Sequence, residues 1–234
     1  MQGKLYLIPS TLGGNSIDDV IPLNIKNIIN KINFYIVENV RTARRYLKKL
    51  EIQTSIDNLT FFTLNKHTSS NDIINYLDPI FNNNDIGIIS EAGLPGIADP
   101  GAEIVKIAHQ KKIDVIPLTG PSSITLALMA SGMNGQNFSF VGYLPIKQNE
   151  RIKKIRFLEK KSKTENQTQI FIETPYRNDS LLADILINCN SHTFLCIATD
   201  ITLENEFIKT KTINNWKKKM PKLNKRPTIF LLHQ

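Results

Sequence analysis

The chain is short of the residues that hold disulfides and metals. Its 234 residues include two cysteines, Cys189 and Cys196, which form no C-x-x-C pair. Residues 1–8 lack a secretory-signal pattern, so both are expected as core thiols of a cytoplasmic protein rather than as a bridge. Four histidines, His67, His109, His192 and His233, are scattered along the chain, and no metal site is expected from them. No apolar run is long enough to span a bilayer, so no membrane partner is expected. Two nucleotide fingerprints are missing as well. G-x-x-x-x-G-K-[ST] does not occur, which leaves a P-loop unsupported. The first apolar run, Lys4 to Ile8, leads into PSTLGGN rather than G-x-G-x-x-G. Glu38 ends the next run, where a ribose-binding acid commonly sits, but without the glycines a dinucleotide-type site is disfavoured.

Hydrophobic residues make up 41% of the chain, ample for a buried core in one large domain or two small ones. The formal net charge of +8 fits an acidic partner such as RNA. It also fits an AT-biased genome, because Lys, Asn and Ile are all abundant. Strand-like runs at 4–8, 34–37, 60–64, 85–89 and 113–117 alternate with helical spacing at 17–31, 42–50, 71–80, 102–111 and 121–129. Such alternation argues for a mostly parallel sheet with helices on both faces. Residues 131–147 carry three glycines and few charges and read as a short strand and a linker. A basic helix follows, then strands at 169–173, 192–198, 205–210 and 228–233 with helices at 178–187 and 213–219. Strands returning at this spacing suggest a mixed sheet. Two α/β domains are expected, 1–131 and 148–234, joined by a linker at 132–147.

The segment from Ser90 to Ser123 concentrates the functional signal. Two loops rich in Gly, Pro and small residues each follow a short apolar run, and parallel sheets place ligands at the carboxyl ends of their strands. Gly93, Gly96 and Gly101 allow close approach of a ligand to the backbone. Pro95 and Pro100 stiffen the loop, so less order is lost on binding. Ser122 and Ser123 open a helix, where free N–H groups and hydroxyls can meet a polar ligand. Two tight connections with helix caps are the plainer alternative, and Asp99 before Pro100-Gly101 would serve as such a cap.

A second signal lies after Glu38. Arg41, Arg44, Arg45, Lys48 and Lys49 fall on a single helical face, with Ala43, Tyr46, Leu47 and Leu50 opposite. Five neighbouring cations repel one another unless something acidic relieves them, and RNA phosphates would do so. A solvated face, or one paired with carboxylates, would look the same in sequence. Arg151, Lys153, Lys154, Arg156, Lys160 and Lys161 form a further basic segment that extends or flanks this surface.

Six motifs follow one another in order: KLYLIPSTLGGN, VENVRTARRYL, SEAGLPGIADPG, PLTGPSS, FVGYLP and FIETPYR. Together they resemble the tetrapyrrole methylase superfamily of S-adenosylmethionine (SAM)-dependent methyltransferases over nearly the whole chain. Within it they resemble the branch of the ribosomal RNA small subunit methyltransferases I, which 2′-O-methylate a cytidine of 16S rRNA. The resemblance implies two α/β domains with SAM folded in the cleft between them, a homodimer, and the small ribosomal subunit as partner. It implies cofactor contacts from Pro9, from Glu91, Ala92 and Gly93, and from Gly96, Ile97 and Asp99. Ser122, Ser123, Glu173, Pro227 and Thr228 complete the implied set. Glu38 with Arg41 resembles the family's acid-x-x-Arg element, although Asn39 stands where the family has an acid and Ser90-Glu91 where it has Ser-Asp. Candidate proton-handling groups are Glu38, with Arg41 beside it, and His67, which follows a strand end. A Glu38–Arg41 ion pair that only holds a loop is equally open. Two alternatives stand beside an rRNA methyltransferase: a methyltransferase of a small substrate such as a tetrapyrrole, and a non-catalytic RNA-binding assembly protein.

Overall fold

The computed structural model describes every residue except Met1, Asn15, Lys66, His67 and Ser69. The chain forms two compact units, Met1–Ser122 and Ser123–Gln234. No helix among the described residues is long and apolar enough to cross a membrane.

In the first unit β1 (Leu5–Ile8), β2 (Phe34–Val37), β3 (Thr60–Thr63), β4 (Ile86–Ile89) and β5 (Val115–Pro117) build one sheet in the order β3-β2-β4-β1-β5. Every pairing is parallel. Its central strands are apolar on both faces, as a sheet covered on both sides requires. Alternate residues feed two cores. Ile8, Tyr35, Val37 and Ile89 pack with α1 (Asn24–Ile29) and α2 (Val40–Lys49) on one face. Leu5, Ile36, Ile86 and Ile88 pack with α3 (Ser70–Asn75), α4 (Asp78–Phe81) and α5 (Gly101–Gln110) on the other. Two expected helices are shorter than their periodicity suggests. The 17–31 pattern keeps Ile17 and Ile21 buried, but regular helix begins only after Pro22, because proline disfavours helix in the residue before it. The 71–80 pattern breaks into α3 and α4, with Pro79 in the first turn of α4, the place where a helix tolerates it.

The second unit contains α6 (Ser123–Ser131), β6 (Phe138–Tyr143), α7 (Gln148–Glu165), β7 (Thr168–Ile172), α8 (Asn178–Asn188), β8 (Phe194–Thr199), β9 (Phe207–Thr212), α9 (Ile213–Lys218) and β10 (Thr228–His233). The sheet order is β6-β7-β10-β8-β9, parallel only between β6 and β7. Its core centres on Phe171, stacked on Phe230 at 5.9 Å, and on Trp216, whose indole N–H donates to the Leu195 carbonyl at 2.8 Å. The division falls earlier than the expected linker. The helix opened by Ser123 belongs to the second unit, and the short strand expected within 131–147 is that sheet's edge strand β6. Both cysteines are free and buried.

Arg151 leaves the basic surface altogether. It is buried against Asp184 of α8, with Nε donating to Oδ2 at 2.7 Å, while Gln148 donates to the other carboxylate oxygen at 2.8 Å. Arg151 also donates to the Ile146 carbonyl and to Ser180. Removing one partner of such a pair strands a buried charge, so Asp184→Ala is expected to cost about 3–5 kcal/mol in urea unfolding. A loss near the ~0–1 kcal/mol of an exposed ion pair would contradict this.

Candidate functional site

The parallel register brings Ile8, Val37 and Ile89 level, since Ile89 of β4 pairs with Ile8 on one side and Val37 on the other. The loops after β1, β2 and β4 therefore start side by side. Backbone and hydroxyl hydrogen bonds join two of them. Ser10 N donates to the Gly93 carbonyl at 2.9 Å, and Ser10 Oγ donates to the Ser90 carbonyl at 2.8 Å. Ser90 Oγ closes the turn by donating to the Gly93 carbonyl at 3.1 Å. Gly93 has φ +75, and a Cβ there would sit 3.2 Å from Leu12 and 3.3 Å from the Pro121 carbonyl. A Cβ on Gly120 would lie 2.1 Å from the ring of Pro9, so the loops after β1 and β5 meet through a contact that only glycine permits.

Within this group Asp99 has the cap-like role left open by the sequence. Its Oδ1 accepts from Gly96 N at 2.7 Å and Gly101 N at 2.8 Å, shaping the glycine loop and the start of α5. Burial raises its carboxyl above the ordinary range, against those two amide bonds. Glu91, Ala92 and Ile97 are exposed along the same loop. Glu38 accepts from Glu91 N at 3.4 Å. Burial raises the Glu38 carboxyl, the Glu91 amide opposes the rise, and the charges of Asp99 and Glu91 add to it.

Arg41 makes no ion pair with Glu38 among the described residues. Asn39 caps α2 instead, its side chain accepting from Arg41 N at 2.9 Å and Thr42 N at 3.3 Å. An amide is a good cap, which gives Asn39 a local job where the family pattern has an acid. His67 lies outside the described residues.

All five cations of α2 are exposed, and Ala43, Leu47 and Leu50 are buried. Tyr46 is half-buried; burial raises its phenol pKa, and its hydroxyl donates to the Pro9 carbonyl at 2.6 Å. The cationic face divides. Arg44 pairs with Asp57, whereas Arg45 and Lys49 border a cavity of about 250 Å³. Ser10, Thr11, Thr42, Tyr46, Ser90 and Glu91 also line it. Thr42 Oγ1 donates to Glu91 Oε1 at 2.5 Å, so α2 and the glycine loop are tied at the cavity. Ser10, Thr11 and Thr42 were not singled out by the sequence reading. Thr42, Arg45, Tyr46 and Lys49 do stand at i, i+3, i+4 and i+7, a signal that points to Thr42 but not to Ser10 or Thr11.

Ser122 ends the first unit and Ser123 begins α6 of the second. In the second unit Glu173, Pro227 and Thr228 are neighbours. Ile229 of β10 pairs with Ile172 of β7, and one step along this antiparallel register sets Thr228 opposite Glu173. The Glu173 side chain is fully buried; Oε1 accepts from Arg177 and from Thr174 N, each at 2.6 Å. Burial would raise its carboxyl, but the Arg177 and Thr174 hydrogen bonds outweigh it and the pKa is lowered. Its second oxygen is buried with no hydrogen-bond partner among the described residues. Thr228 shares a hydroxyl hydrogen bond with Thr199 at 2.9 Å. Among the described residues no group of His, Cys, Asp and Glu could hold a metal ion.

Two expectations follow. Gly93→Val forces a branched side chain into φ +75 and between Leu12 and Pro121. It is expected to abolish SAM binding in calorimetry while circular dichroism stays native; retained binding would move the ligand elsewhere. Glu38 has a folded pKa above its unfolded value, so its ionisation opposes folding at neutral pH and the penalty fades as pH falls. Glu38→Gln is therefore expected to raise Tm at about pH 7 and to lose that gain toward about pH 4. A lowered Tm at neutral pH would contradict the sign.

No family model matches the sequence. The ribosomal RNA small subunit methyltransferase I of Halalkalibacterium halodurans is 31% identical over 89% of this chain and 68% of its own length. The protein of that name from Thermotoga maritima is 30% identical, with 94% of each chain covered. Among solved structures, the crystal structure of the methyltransferase CobJ superposes with a TM-score of 0.65 at 13% identity, covering 99% of this chain and 94% of CobJ; that likeness establishes the fold. At this identity and coverage, the chain belongs to the ribosomal RNA small subunit methyltransferase I family.

Proposed function

We propose that this protein transfers a methyl group from SAM to a ribose 2′-hydroxyl of small-subunit rRNA. The observation that carries the reading is the Thr42–Glu91 hydrogen bond. One residue lies on the cationic helix and the other on the glycine loop, so a phosphate-binding surface and a cofactor-binding backbone meet at one point. The loop fits the cofactor. Gly93, which is buried, and Gly96, which is half-buried, both have positive φ and turn the backbone where a side chain would strain it, and the exposed Ile97 adds apolar area.

When bound, SAM supplies a methyl already activated by its sulfonium. The protein contributes alignment, which is worth roughly 7–11 kcal/mol for well-oriented reactants. It also contributes an acceptor for the hydroxyl proton, because a ribose hydroxyl is a poor nucleophile. Glu38 is the acid whose carboxyl is raised toward the pH at which a base works best. The remaining cations of α2 hold the RNA through its phosphates.

Small ribosomal subunits incubated with methyl-labelled SAM should acquire label in RNA, within an alkali-resistant dinucleotide, since a 2′-O-methyl group blocks alkaline cleavage. Protein that binds SAM but leaves the RNA unlabelled would overturn the assignment. Glu38→Gln is expected to lower kcat by about a hundredfold or more with SAM affinity unchanged; an unchanged kcat would remove Glu38 as the base.

A further inference from the structure

We propose that the cavity between the loop after β1 and α2 is a pocket for a single unpaired nucleoside of the RNA, with Arg45 and Lys49 placed for its flanking phosphates. The proposal rests on the RNA methyltransferase reading above and specifies how the substrate enters. At about 250 Å³ the cavity has room for one nucleoside and none for a base pair. Its lining is mixed in the way a nucleoside requires. Ile17, Ala43 and Ile89 give apolar walls, and Ser10, Thr11, Thr42 and Glu91 give polar ones. Tyr46 supplies an aromatic ring, the surface on which unstacked bases are commonly held.

The hydroxyl protons of Ser10, Tyr46 and Thr42 at the pocket are already committed. Ser10 donates to Ser90, Tyr46 to Pro9, and Thr42 to Glu91. What these oxygens retain is acceptor capacity, which suits the hydroxyls of a ribose and so distinguishes RNA from DNA. Of the residues expected to touch the cofactor, only Glu91 borders the cavity. The pocket therefore adjoins the cofactor loop without being the cofactor's own site. Arg45 is exposed and makes no ion pair among the described residues, whereas Arg44 is held by Asp57. The two neighbouring arginines should thus differ sharply.

The test is fluorescence anisotropy with a short labelled single-stranded RNA and a hairpin of the same composition, alongside SAM calorimetry. Thr11→Trp fills the cavity from the loop. It should weaken single-strand binding about tenfold, leave hairpin binding as in the wild type, and keep SAM affinity within about twofold. Arg45→Ala, on the exposed helix face, should weaken single-strand binding about tenfold and reduce the salt slope by about one, while Arg44→Ala changes binding less than about twofold. Wild-type RNA binding that neither Thr11→Trp nor Arg45→Ala alters would overturn the pocket and leave the RNA reading standing. Loss of SAM binding by a folded Thr11→Trp would also overturn it, by making the cavity part of the cofactor site. A wild-type protein that binds neither RNA would remove the RNA reading, and the pocket with it.

Discussion

The level ending of three parallel strands governs the first unit. Ile8, Val37 and Ile89 share one register, so their loops begin within hydrogen-bonding reach of one another. In a parallel sheet this edge is crowded by strand exits and helix starts, and the backbone must turn sharply to reach the next helix. Here the turn is made by glycines at positive φ and by two buried serines that donate to backbone carbonyls. The Ser10 hydrogen bonds, to the Ser90 and Gly93 carbonyls, join segments about eighty residues apart in sequence. The site is therefore a consequence of the sheet, and it forms only when the sheet does.

The same geometry explains how carboxylates are used. Glu38, Glu91 and Asp99 are brought together because each follows or lies near a strand end. Burial keeps Glu38 and Asp99 more easily protonated than free acids, and at Glu38 repulsion from Asp99 and Glu91 adds to it. Backbone amides pull the other way, and for Asp99 two such bonds make it part of the loop's scaffold. The second unit handles charge differently. Three of its acids are neutralised by arginines: Asp184 by Arg151, Glu173 by Arg177 and Asp200 by Arg226. Among the described residues Glu38, Glu91 and Asp99, at the strand ends of the first unit where the chemistry is proposed, make no ion pair.

Much of the fold was legible because local pattern and tertiary demand agree. Phe34 to Val37 is an apolar run buried on both faces, and β2 spans those residues. The two faces of α2 follow from spacing alone, as does the mixed second sheet from closely spaced strands. Arg151 and Thr42 share one difficulty, which is that the decisive partner lies far along the chain. Arg151 reads as one more cation in a basic helix until Asp184 of another helix buries it. Thr42 reads as a helix residue of no consequence until Glu91 accepts its proton. The helix before β2 was overextended because Ile17 and Ile21 are buried at helical spacing without being helical. The loops were legible as a site, since glycine and proline mark unusual backbone; which side chains face the cavity was not.

Isothermal titration of the purified protein with SAM, then with S-adenosylhomocysteine, tests the central claim most directly. The account predicts that both bind with micromolar affinity, because the loop offers the backbone and apolar contacts common to the two. Absence of binding by a demonstrably folded protein would contradict it, and would mean that the glycine loop and its serine clasp hold no such ligand.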